Sequence, residues 1–138
     1  MSAVDSRCSS CLVAVYGTLR RGYANAHFLA NASFLGTDLS HAIVLYDLGE
    51  YPGAKSAASD GIEVEVYRID SQTLQALDQL EEFDPDNPAS SLYVRRQLQT
   101  AFGVAWVYLY QGTVRGRRPV RAGRWIAHPA PAAMAEQR

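Results

Sequence analysis

The chain has 138 residues, 48% of them apolar, which fits one domain with a real core and excludes a mainly disordered chain. Thirteen Lys and Arg stand against fourteen Asp and Glu, a formal net charge of -1, so no basic surplus exists to neutralise phosphates and nucleic acid is not an expected partner. No apolar run approaches the roughly 18 to 20 residues of a membrane span. The polar start, Met1 to Ser10, followed by an apolar run only from Leu12 to Tyr16, does not read as a signal peptide. A cytoplasmic protein without membrane contact is expected.

Residues 1–11 read as a flexible tail carrying Cys8 and Cys11. A zinc site needs two further ligands, and His27, His41 and His128 are isolated. The thiols therefore read as tail residues without function, with a redox pair or a metal site as weaker alternatives, and no metal or cofactor is expected. Leu12 to Tyr16 predicts a short buried strand. A glycine-punctuated loop runs from Tyr16 to Gly22, and Ala24 to Ala32 predicts a short helix with Phe28 and Leu29 inward.

Strands are predicted at Phe34 to Leu39 and His41 to Leu48, the second ended by the turn signal Gly49 to Gly53. Residues 61–69 alternate, with Ile62, Val64 and Val66 opposite Glu63, Glu65 and Tyr67, as in a half-buried strand. Asp70 caps a helix from Ser71 to about Glu82. A loop spans Asp84 to Ser91, and strands at Leu92 to Thr100 and Val104 to Gln111 meet in a turn at Phe102-Gly103. The end, 129–138, reads as a second flexible tail, which leaves a domain at 12–128. The fold class is α+β with a curled sheet or small barrel, sequential strands mostly being neighbours.

The central helix carries the most informative residue. Leu74, Leu77 and Leu80 define its buried stripe. At about 100° per residue, Glu81 lies only about 40° from Leu77, whereas Glu82 lies about 140° away. An inward carboxylate is costly unless it is paired, hydrogen-bonded or facing a cavity, and burial would bring its pKa toward neutrality. The competing reading is that Glu81 swings out to solvent or pairs with Arg95 or Arg96. In the loop after the first strand, Gly17 permits a sharp turn, and successive peptide N–H groups there can form an anion site. No nucleotide-binding glycine pattern, nucleophile elbow or H-E-x-x-H accompanies it. Chemistry here would use a base and oriented dipoles.

The motifs occur in an order that resembles the gamma-glutamylcyclotransferase-like family, in particular its short bacterial YtfP-type members. They are Tyr16-Gly17-Thr18-Leu19-Arg20, then Leu45 through Ala54, Gly61 through Asp70, Leu77-Asp78-Gln79-Leu80-Glu81, Tyr93-Val94-Arg95-Arg96 and Ala105-Trp106-Val107-Tyr108. The resemblance runs from about Val13 to Ile126. It implies a small mixed β-barrel with flanking short helices. It also implies an enzyme that cyclises a γ-glutamyl group to 5-oxoproline and expels an amine or amino acid, with Glu81 as general acid/base. Tyr16, Gly17, Thr18 and Leu19 would bind the substrate, with Tyr51, Pro52, Tyr93 and Tyr108 as cavity walls. One departure is Glu82, where the family often has glycine. The partner implied is a small γ-glutamyl compound whose amine side is unspecified; the oligomeric state is not legible. The alternative is a non-catalytic binding module using the same cavity.

Overall fold

The computed structural model describes residues 10–120 and 123–126; residues 1–9, with Cys8, and the expected tail 129–138 lie outside them. In chain order the strands are β1 (Cys11–Val15), β2 (Ser33–Ser40), β3 (Ile43–Asp47), β4 (Pro52–Ser56), β5 (Ile62–Ile69), β6 (Tyr93–Thr100), β7 (Gly103–Tyr110) and β8 (Arg118–Pro119). One α-helix, α1 (Ser71–Leu80), lies between β5 and β6. Among the described residues no helix is long and apolar enough to cross a membrane.

The strands form a mixed five-stranded sheet in the order β2-β5-β1-β7-β6 and a three-stranded sheet in the order β4-β3-β8. The expectation that sequential strands are neighbours holds only for the β3–β4 and β6–β7 hairpins. β1 instead takes the centre, antiparallel to β5 and parallel to β7. Its apolar run suits that place, because both faces are covered. Val13 and Val15 pack with Leu77 of α1 in one core, while Ala14 and Tyr16 pack with Ile43, Leu45 and Trp125 in the other.

The same two-sided burial corrects the reading of β5 as half-buried. Glu65 and Tyr67, on its expected outer face, are 7% and 4% exposed. Tyr67 donates to Glu65 at 2.8 Å, and the same carboxylate oxygen accepts the Arg21 backbone N–H at 3.0 Å. Cys11, assigned to the tail, opens β1 opposite Ile69. The helix expected at Ala24 to Ala32 shrinks to a 3-10 turn at Ala26–Leu29, with Leu29 buried and Phe28 partly so. No side-chain cap hydrogen bond starts that turn. α1 begins as expected, with Asp70 accepting the Thr73 N–H at 2.8 Å, and Leu77 at 0% exposure anchors it. Burial of that kind stabilises by about 2 kcal/mol per side chain.

The strands do not close into a barrel among the described residues. β2 and β6 end the larger sheet with no ladder between them. At the β6–β7 turn the two margins touch without pairing. Asp38 of β2 accepts the Ala101 N–H at 2.8 Å, and the Phe102 ring fills the space over Gly36, where a Cβ would stand 2.5 Å from its Cζ. Gly36 has φ +147° at a register shift in β2, and such a bulge bends an edge out of line for pairing.

Candidate active site

A cavity of about 370 Å³ opens where β1 ends, between its following loop, the start of β4 and the end of α1. The loop residues Tyr16, Gly17, Thr18 and Leu19 form one side. Tyr51 and Pro52 form another, and Tyr93 and Tyr108 come from the late strands. Glu81 projects from the helix end. All nine residues picked from the sequence thus border one space. Asn25 and Leu92 also line it and lie in none of the motifs, and Glu50 and Leu80 line it from within two of them without having been picked as site residues.

Glu81 is placed by the way α1 stops. Its N–H donates to Leu77 O at 2.9 Å, and the next residue, Glu82, takes the left-handed conformation at φ +56°. Glu82 N–H then donates to Gln79 O at 3.2 Å and Phe83 N–H to Asp78 O at 2.8 Å. These two bonds form the Schellman ending, whose left-handed position usually carries glycine. The glycine-for-glutamate departure therefore falls on the one described non-glycine residue with positive φ. Glu82 is exposed at the rim of the cavity, while Glu81 is partly buried.

The proposed partner Arg95 is committed elsewhere. Its Nε and Nη2 donate to Asp78 at 2.7 and 3.1 Å, and its guanidinium lies 4.7 Å from the Trp106 ring centroid. Arg96 donates to the Arg95 carbonyl. Among the described residues no Lys, Arg or His lies within ion-pairing distance of Glu81. Burial without a compensating cation pushes the Glu81 carboxyl up to about 7.

Three of the four cavity tyrosines spend their hydroxyls on the scaffold. Tyr16 donates to Tyr108 O at 2.6 Å, Tyr93 to Pro52 O at 2.9 Å and Tyr108 to Asp78 Oδ1 at 2.6 Å. Burial raises all three phenols, so they stay neutral. They wall the cavity with rings, and no hydroxyl among them is left over for proton transfer. Asp78 was missed as a site-building residue. One turn before Glu81 on α1, it ties the helix to β6 through Arg95 and to β7 through Tyr108.

The loop is held by its carbonyls. Gly17 O accepts both the Arg20 N–H at 3.0 Å and Arg20 Nε at 3.1 Å. Asn25 donates its N–H to Thr18 O at 2.8 Å and its Nδ2 to Thr18 Oγ1 at 2.9 Å. In a planar trans peptide the N–H points opposite to the C=O. The Thr18 and Leu19 N–H groups therefore face away from Arg20 and from the Asn25 N–H, and among the described residues neither meets an acceptor. Gly17 is required by crowding, since a Cβ there would lie 2.8 Å from Pro52 Cδ and Cγ.

The model of the family described as gamma-glutamyl cyclotransferase, AIG2-like, matches residues 13–127. The chain is 39% identical over 112 residues to the gamma-glutamylcyclotransferase family protein YtfP of Escherichia coli K12, covering 81% of this chain and 93% of that protein. The solution NMR structure of Escherichia coli ytfP superposes with a TM-score of 0.66 at 38% identity, over 83% of this chain and 96% of that one. The crystal structure of PH0828 from Pyrococcus horikoshii gives a TM-score of 0.68 at 28% identity, over 83% and 88% of the two chains. A Niallia circulans protein named gamma-L-glutamyl-butirosin B gamma-glutamyl cyclotransferase is 32% identical over 101 residues, 70% of this chain and 64% of that protein.

Proposed function

The chain belongs to the gamma-glutamyl cyclotransferase, AIG2-like family, and on that premise we propose that it converts the γ-glutamyl group of a γ-glutamyl amine or dipeptide to 5-oxoproline, with Glu81 as general acid/base. The observation that carries this reading is the Glu81 carboxyl itself: it borders the cavity, has no cation partner among the described residues, and is pushed to about 7. A group with that pKa can take up and give back a proton near neutral pH. The relative from Niallia circulans is named for this type of reaction on a γ-glutamyl compound.

In the reaction the substrate's α-amine nitrogen attacks its own γ-carbonyl carbon. The ring C–N bond forms, and the C–N bond to the leaving amine breaks. Glu81 accepts the proton of the attacking nitrogen and delivers it to the leaving nitrogen. One proton moves, no electrons are exchanged, and no cofactor enters the step. Attack within one molecule already carries a large proximity advantage, so the protein's task is to fold the substrate and manage the proton. The Thr18 and Leu19 N–H groups supply donors for its negative oxygens. The tyrosine rings and Pro52 enclose the aliphatic part. A cavity of about 370 Å³ suits a small ligand.

The test is release of 5-oxoproline from a panel of γ-glutamyl amines and dipeptides, with Glu81→Gln alongside. The wild-type protein should turn over at least one of them, with kcat/KM falling below a pH of about 7 as Glu81 becomes protonated. Glu81→Gln should stay folded and lose about 100-fold or more. Unchanged turnover in that variant would sink the assignment. Tight binding of an intact γ-glutamyl compound without product would make the cavity a binding site only.

A further inference from the structure

Arg20 lies behind the binding loop, outside the cavity lining, and is 4% exposed. A guanidinium keeps its charge at any pH a protein survives. Buried cations normally face a carboxylate, because desolvating an uncompensated charge is costly. Among the described residues Arg20 has no such partner. Glu65, the carboxylate that the neighbouring Arg21 meets, is engaged by Tyr67 and by Arg21. Arg20 gives its hydrogen bonds to neutral carbonyls, Gly17 O through Nε and Trp125 O through Nη2, and stacks over the Tyr23 ring with its centre 4.3 Å from the ring centroid.

Trp125, 1% exposed and packed on Tyr23, belongs to a C-terminal segment that β5 grips where Glu63 N–H donates to Gly123 O at 2.7 Å. Arg20 is thereby fixed between its own loop and a segment 105 residues downstream. Its charge acts on the loop through the Gly17–Thr18 peptide. That peptide's carbonyl points to Arg20, and its N–H points the other way with no acceptor among the described residues.

We propose that Arg20 is a positioning residue that makes this loop a carboxylate site: the buried positive charge is compensated only when a ligand carboxylate sits on the Thr18 and Leu19 N–H groups. If the cavity is used as proposed above, that group is the substrate's α-carboxylate, and the ring-closing carbonyl lies toward Glu81. The inference rests on that reading for the identity of the ligand. Its test reads binding, so the two can fail separately.

The probes are 5-oxoproline and its neutral primary amide, 5-oxoprolinamide, titrated into the full-length protein by calorimetry. The wild type should prefer the carboxylate by about tenfold or more, the order expected of one full charge acting across a peptide unit. Arg20→Gln should reduce that ratio to about threefold or less. Arg20→Lys, which keeps the charge but loses the two-carbonyl fork, should weaken both ligands while keeping most of the ratio. A merely structural arginine would weaken both ligands alike in either variant. Equal affinities in the wild type, binding of neither probe, or an unchanged ratio in folded Arg20→Gln would overturn the proposal. Should Arg20→Gln not fold, loss of the ratio in folded Arg20→Lys would overturn it equally. A carboxylate preference that follows the charge, in a protein that releases no 5-oxoproline from any substrate, would uphold the inference and defeat the proposed activity.

Discussion

Replacing Glu81 by Gln should stabilise the protein at alkaline pH and leave it unchanged in acid. In the folded chain burial holds this carboxyl at about 7, against 4.5 for an ordinary glutamate. Between those two pH values the folded state keeps the Glu81 proton and the unfolded chain releases it. The unfolded state thus binds fewer protons, and this group's contribution to stability falls as pH rises through the window. Two and a half pH units at about 1.36 kcal/mol each give about 3 kcal/mol, fully expressed above pH 7. Gln has nearly the shape of the protonated acid and no such dependence. Urea unfolding of both proteins at pH 4.5, 6, 7 and 8.5 isolates the effect, because every other titrating group is common to the pair. Their difference should be near zero at pH 4.5 and approach about 3 kcal/mol in favour of Gln at pH 8.5. On the thermal scale that is of order 10 °C for a chain of this size. A difference that stays flat across this range would show that Glu81 titrates like a surface residue, and the base proposed for the reaction would lose its physical footing.

Three further substitutions probe the scaffold. Glu82→Gly removes a side chain from φ +56° and should raise stability by about 0.5 to 1 kcal/mol, read as a higher melting temperature, with Glu81 still in place. Gly17→Ala puts a methyl group 2.8 Å from two Pro52 carbons and should cost about 1 to 3 kcal/mol; titration with 5-oxoproline should show weakened binding, and unchanged affinity would mean that the loop does not touch the ligand. Asp78→Ala strands Arg95 and the Tyr108 hydroxyl together and should cost about 3 kcal/mol or more in urea unfolding, while a loss under about 1 kcal/mol would reduce the pair to a surface ion pair.

The helix end was the most legible part of the site, because a period of 3.6 separates two adjacent glutamates without reference to any partner. The partner assignment was not legible. Arg95 could have reached either Glu81 or Asp78 in the sequence, and only the packing of β6 against α1 gives it to Asp78. β4 was hidden by its first residues, since Pro52-Gly53 after Tyr51 reads as turn chemistry. It lies at the edge of its sheet, where a proline without an N–H is tolerated. β8 is two residues long, too short for any pattern, and exists by pairing with Tyr46 and Asp47. Asn25 escaped notice for a related reason. Its work is to hold Thr18 twice, and a bond that short-ranged leaves no periodic trace. The open sheet was equally hard to foresee, because no pattern in the sequence marks the bulge in β2 or the ring packed over it.

The loop after β1 is synthesised well before the partners that complete it. Tyr16 finds its acceptor 92 residues downstream, and Arg20 finds one of its two acceptors 105 residues downstream. A ribosome-bound chain can therefore assemble the β3–β4 hairpin and α1 from local contacts, but not the pocket. The central strand must wait for β5 and then β7, a pairing order with a large loop-closure cost that favours slow folding after release. Shortening the chain before Trp125 would then do more than trim an end. It would leave a buried cation without one of its two carbonyls, and the pocket would be the part of the molecule left unfinished.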